Sequence, residues 1–93
     1  MVKLSVRVII TGHVQGVWFR GWTVASAKEL DLWGWVRNRK VGSVEAVFHG
    51  EQNAIEKMIE RCYHGPAAAS VERVDVIYES INIKPGFEQI ATL

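Results

Sequence analysis

The hydrophobic period of this chain switches repeatedly between about two and about 3.6 residues, and the order of the switches leaves few folds open. Residues 4–10, LSVRVII, alternate, with Leu4, Val6, Val8 and Ile10 on one side and Ser5 and Arg7 on the other. With Lys3 and Thr11 at its ends, this β-branched run predicts a strand over Lys3–Thr11. From about Gly21 to Leu32 the spacing becomes helical, with Val24, Ala25, Ala27 and Leu30 supplying the apolar side. LWGWVRN, residues 32–38, and SVEAVFHG, residues 43–50, read as two strands around the turn RKVG, which predicts a hairpin.

EQNAIEKMIERCYHG, residues 51–65, is the clearest helix. Ile55, Met58, Ile59 and Cys62 form one stripe, and Asn53 with Glu56 has the spacing of a capping box. Gly65 and Pro66 end the helix. SVERVDVIYES, residues 70–80, alternates again through Val74, Val76 and Tyr78, and GFEQIATL, residues 86–93, can add a short final strand. The order β-α-β-β-α-β predicts an α+β fold, a ferredoxin-like α/β sandwich with two helices on one face of an antiparallel sheet. Fold alone carries no function.

With 93 residues the chain is sized for one domain, 1–93, with one core. A formal charge of +1 leaves no electrostatic footprint for nucleic acid or an anionic membrane. No run approaches ~20 continuous apolar residues, and Ser5 and Arg7 interrupt the first apolar stretch, so neither a membrane span nor a secretory signal is expected. Cys62 is the only cysteine, which excludes an intramolecular disulfide and fits a reducing cytoplasm.

Between the first strand and the first helix lies GHVQGVWFR, residues 12–20. A glycine-bearing loop feeding a helix N-terminus can turn several backbone N–H groups into one concavity, where the helix dipole adds to their pull on an anion. Arg20 stands where loop meets helix, and a guanidinium can grip two phosphate oxygens at once. No Gly-Lys-Ser/Thr follows, so this is not the Walker loop. On spacing alone two readings stand: an anion cradle, or a glycine-rich turn with a solvated arginine above it.

The same stretch resembles the phosphate-binding signature of the acylphosphatases, Gly-x-Val-Gln-Gly-Val-x-aromatic-Arg. GWVRNRKVGSVEAVFHG, residues 34–50, is similar to the family's second signature, and the likeness continues through GPAAASVERVDV. The resemblance implies a ferredoxin-like enzyme that hydrolyses acyl phosphates to a carboxylate and inorganic phosphate, without metal or other cofactor. It implies that Arg20 binds the phosphoryl group together with the loop amides of His13, Val14, Gln15, Gly16, Val17, Trp18 and Phe19. Asn38 would orient the attacking water. The implied partner is a small-molecule acyl phosphate, with phosphate or sulfate able to occupy the site, and the expected state is a cytoplasmic monomer.

The chemistry is coherent without a general acid. A carboxylate leaving group has a conjugate-acid pKa near ~4 and departs unprotonated. What remains is neutralising phosphoryl oxygens and aiming a water in line. An amide carbonyl is too weak a base to take the water's proton, so the substrate's own phosphate oxygens are expected to receive it. A phosphate monoester would fare badly, because an alkoxide needs a proton as it leaves.

Other residues draw plainer expectations. His13 is a solvent-facing loop residue rather than a base, and His49 and His64 are surface groups without metal-ligand spacing. Cys62 is buried, Gln15 braces the loop, and Val14, Val17 and Phe19 pack beneath or beside it. Arg39 and Lys40 either attract an anionic substrate or simply solvate a hairpin turn. Of Trp18, Trp22, Trp33 and Trp35, two are expected in the core, with Trp18 beside the substrate entrance. The rival reading, a non-catalytic module binding an anion or RNA, lacks the basic-glycine-aromatic third strand of such binders.

Overall fold

The computed structural model describes residues 3–93. Its elements are β1 (Lys3–His13), α1 (Phe19–Glu29), β2 (Trp33–Asn38), β3 (Val44–Glu51), α2 (Gln52–His64), β4 (Ser70–Tyr78) and β5 (Phe87–Gln89). They form one five-stranded sheet in the order β4-β1-β3-β2-β5. The first four strands pair antiparallel in the ferredoxin-like pattern. β5 departs from the expected antiparallel sheet by running parallel to β2. The cause is the return path: β4 finishes beside Val6, and the chain crosses that end of the sheet to begin β5 beside Gly34, where β2 also begins.

The alternation in β1 works as a strand period requires. Val6, Val8 and Ile10 are fully buried, and they meet Val36, Val44, Ala46, Phe48 and Val74 on the same face. Both helices cover that face. α2 lays down Ile55, Met58 and Cys62, the stripe expected from its sequence, and α1 contributes Phe19 and Ala27. Burial of Cys62 pushes its thiol up to about 12, so it stays protonated and unreactive at neutral pH.

Several boundaries differ from the sequence reading. β1 runs on through Gly12 and His13, because a bulge after Thr11 lets pairing with β4 continue. Gly12 makes this possible: its φ is +133°, and a Cβ there would strike the backbone of Ser70 and Glu72. α1 starts at Phe19 and ends at Glu29, where Asp31 takes a left-handed φ of 56° and Leu32 donates back to the Ala27 carbonyl at 2.9 Å. The capping box does not form. α2 begins at Gln52 directly from β3, which puts Asn53 inside the first turn, and Glu56 instead accepts from Gln52 Nε2 at 3.1 Å.

The sheet face away from the helices carries charge. Glu45, only 6% exposed, accepts from Arg7 and from Arg37 at 2.7 Å each, and Arg37 lies 4.7 Å from the Trp35 ring centre. Burial alone would raise the Glu45 carboxyl, but the hydrogen bonds from Arg37 and Arg7 outweigh it and hold the group below its ordinary value. No tryptophan joins the buried core, contrary to expectation: Trp22 packs against it, edge-on to Phe19 at 5.2 Å, and Trp18 and Trp33 are exposed. Trp33 and Trp35 alternate along β2 with buried Gly34 and Val36, so the strand period turns both indoles to the face away from the helices. His49 is half-buried rather than a free surface group, because Ser5 Oγ lies 2.8 Å from its Nδ1.

Candidate functional site

The site is built where β1, β2 and α1 meet. β1 ends at His13, the chain bends through residues 14–18, and α1 begins at Phe19. Gly16 at φ 74° and Trp18 at φ 67° are both left-handed. Left-handed residues interleaved with ordinary ones turn successive amides toward one side, the geometry of an anion nest. α1 has no side-chain cap at its N-terminus and no acidic residue in its first turn. Its first N–H groups therefore remain available, and the helix dipole is unopposed there.

A hollow of about 260 Å³ opens at this helix end, lined by Val14, Gly16, Trp18, Phe19, Arg20, Gly21, Asn38 and Gln89. Arg20 is the only charged residue of that lining, and it makes no ion pair among the described residues. Asn38 arrives from the last position of β2, which ends on the same side of the sheet as β1. Its Oδ1 is buried and has no hydrogen-bond partner among the described residues. An orphan buried acceptor costs about 1–3 kcal/mol unless water or another group satisfies it.

The loop is held from below and from the side. Val14 and Phe19 are 1% and 2% exposed and anchor its two ends in the core, and Val17 packs against them more loosely. Gln15 braces it as expected: Nε2 donates to the Arg39 carbonyl at 2.8 Å and to the Ser43 carbonyl at 3.0 Å. That side chain ties the loop to the β2–β3 turn, so Gly16 and Asn38 are fixed relative to one another. Thr23 Oγ1, fully buried, donates to the Phe19 carbonyl at 2.8 Å and stiffens the first turn of α1.

Of the residues singled out in the sequence, Val14, Gly16, Trp18, Phe19, Arg20 and Asn38 come together around the hollow, whereas the side chains of His13, Gln15 and Val17 do not line it. His13 is exposed and belongs to β1, paired with Ser70, rather than to the loop. Gln89 and Gly21 were not foreseen. Gln89 reaches the hollow from β5, whose pairing to β2 continues past the strand through Ile90 and Leu93, which donate to the carbonyls of Val36 and Asn38. Nothing in the string GFEQIATL announces that edge. Arg39 and Lys40 lie outside the hollow's lining, on the turn.

What such an arrangement can do is hold a tetrahedral oxyanion. One guanidinium and a set of N–H groups face a small hollow without an opposing carboxylate, and an amide side chain stands at its wall.

Comparison with known proteins gives a consistent result. Residues 6–89 match the family model described as acylphosphatase. An acylphosphatase of Rhodospirillum rubrum is 51% identical over 93 residues, covering 100% of both chains. Among solved structures, an acylphosphatase from Coxiella burnetii superposes with a TM-score of 0.92 at 34% identity, covering 95% of this chain and 93% of that one. The acylphosphatase of Bacillus subtilis gives a TM-score of 0.91 at 33% identity, covering 94% and 98%.

Proposed function

The chain belongs to the acylphosphatase family, and from that premise we propose that Arg20 and the amides of residues 13–19 hold the phosphoryl group of a small acyl phosphate while Asn38 orients the attacking water. The activity itself, hydrolysis of the carboxyl–phosphate bond to a carboxylate and inorganic phosphate, follows from membership. The observation that carries the assignment of roles is the meeting of Arg20 and Asn38 across one hollow that has no carboxylate in its walls.

In this reading the phosphoryl dianion lies against the N-terminus of α1, and Arg20 pairs with two of its oxygens. Charge that spreads over those oxygens in the transition state meets donors already in place, so little reorganisation is needed at the moment of reaction. The terminal torsion of an asparagine is soft and two-fold. Rotation of the Asn38 amide turns its orphan acceptor toward the hollow, where a water satisfies it and is thereby aimed at phosphorus. The proton of that water passes to a phosphoryl oxygen, and the carboxylate leaves as it is. The cycle calls for neither a metal nor a proton-donating side chain.

The domain 1–93 acts as a monomer in this proposal, on a small molecule rather than on nucleic acid, and inorganic phosphate or sulfate can occupy the cradle. The single buried thiol suits a reducing cytoplasm, and no helix among the described residues is long and apolar enough to cross a membrane. Colorimetric hydrolysis of acetyl and benzoyl phosphate, with EDTA present, tests the assignment against Arg20→Ala and Asn38→Ala. Turnover by the wild type and its collapse in both variants is expected. Full activity in both variants would remove Arg20 and Asn38 from the mechanism, and loss of wild-type turnover with EDTA would remove metal independence.

A further inference from the structure

We infer that Trp18 sets the acyl-group preference of the enzyme: its indole forms a flat apolar wall beside the phosphate cradle and favours aromatic acyl phosphates over short aliphatic ones. The inference rests on the reading of residues 13–20 as the cradle. Trp18 is a large aromatic residue left 67% exposed, and its backbone is left-handed at φ 67° and ψ 22°. Both features oppose folding, since an L-residue of this size is strained there and its apolar surface stays in water. A glycine would accept the same angle without cost, as Gly16 does nearby at φ 74°.

The ring is nevertheless held in a defined place. It lies directly over Gly21, where a Cβ would overlap the indole at Nε1, Cε2 and Cδ1. Absence of a side chain at residue 21 is what lets the indole rest flat on the first turn of α1. The indole is thus seated against the helix, and Trp18, still 67% exposed, is one of the residues that line the hollow.

The remaining walls decide what the ring is for. With the phosphoryl group on Arg20 and the loop amides, the acyl group must extend from the bridging oxygen toward the mouth of the hollow. Val14 and Phe19 are 1% and 2% exposed, so they offer almost no surface to it. Gly16 and Gly21 have no side chains, and Asn38 and Gln89 present amides. Trp18 is therefore the one apolar surface in that lining that an acyl group can reach. A flat aromatic acyl group can stack on it, whereas an acetyl group is too small to cover it. Stacking of two rings is worth roughly two- to tenfold in affinity.

The test compares kcat/KM for benzoyl phosphate and acetyl phosphate in the wild type, Trp18→Gly, Trp18→Phe and Gly21→Ala. The glycine variant keeps the loop angle and removes the ring. Its benzoyl-to-acetyl ratio should fall by roughly two- to tenfold, mostly through KM for benzoyl phosphate. Trp18→Phe should retain most of the ratio, and Gly21→Ala should lower it by unseating the indole. A merely structural role would depress both substrates in proportion. An unchanged ratio in Trp18→Gly would overturn the inference while leaving the cradle standing. Should that variant not fold, an unchanged ratio in Gly21→Ala decides in the same way. Wild-type failure on both substrates would overturn the cradle reading together with this one.

Discussion

Two hollows of the same volume, about 260 Å³, lie at opposite ends of the sheet, and only one has the chemistry of a site. The hollow at the start of β1 is lined by Lys3, Asp31, Glu51, Trp33 and His49 among others. Lys3 shares that lining with two carboxylates, Asp31 and Glu51, Lys3 Nζ lies 5.9 Å from the Trp33 ring centre, and His49 has Ser5 as a partner. The hollow at the start of α1 is the reverse: its one cation has no carboxylate in the lining, and the Asn38 acceptor beside it has no partner. Volume does not distinguish the two. The charge of the lining does: a cation with no carboxylate beside it favours an anion, whereas one that shares its lining with two carboxylates does not.

Removing the uncompensated cation should give the largest effect. Arg20→Ala is expected to cost about 3–6 kcal/mol of transition-state stabilisation, roughly two to four powers of ten in kcat/KM for benzoyl phosphate. Lys3→Ala, in the balanced hollow, should stay within about twofold of wild type. Comparable losses in the two variants would break the contrast. Asn38→Ala comes next, with a loss of ~10²–10³ in kcat measured on the same substrate.

A third, smaller effect concerns stability instead of rate. Glu45→Ala strips two arginines of their shared partner and should cost about 1.5–3 kcal/mol in denaturant unfolding, while specific activity of the folded fraction persists. The sign of its pH dependence follows from the depressed carboxyl. Its stabilising contribution is fully present above the unfolded-state value and is lost as pH falls through the folded-state value. The stability difference between Glu45→Gln and wild type should therefore shrink as pH falls below the ordinary glutamate value, and vanish only below the depressed folded-state value.

The smallest effect sharpens the contrast most directly. Inorganic phosphate at about ten times its Kd should stabilise the wild type by about 1.4 kcal/mol, a rise of several degrees in Tm, and should leave the Tm of Arg20→Ala nearly unmoved. An equal rise in both would place the anion elsewhere.

Much of this was legible in the sequence. The four long strands and both helices follow from their periods, and the glycines of residues 12–16 mark the bend from β1 into α1. What the string could not carry was proximity across the sheet. Arg20 and Asn38 meet because β1 and β2 both end on one side, a fact of pairing register rather than of spacing. Gln89 was invisible for the same reason, since its position depends on which edge of the sheet the chain reaches after β4. Local signals also lost to tertiary ones. Asn53 and Glu56 had capping-box spacing, yet β3 delivers the chain into α2 two residues too early for it to form.

The double donation of Gln15 to the carbonyls of Arg39 and Ser43 has a kinetic consequence. It ties the loop to the hairpin turn, which restrains Gly16 relative to Asn38. In the proposed mechanism, the entropy of bringing them together is met once, when the chain folds, and an incoming acyl phosphate would find the two halves already aligned.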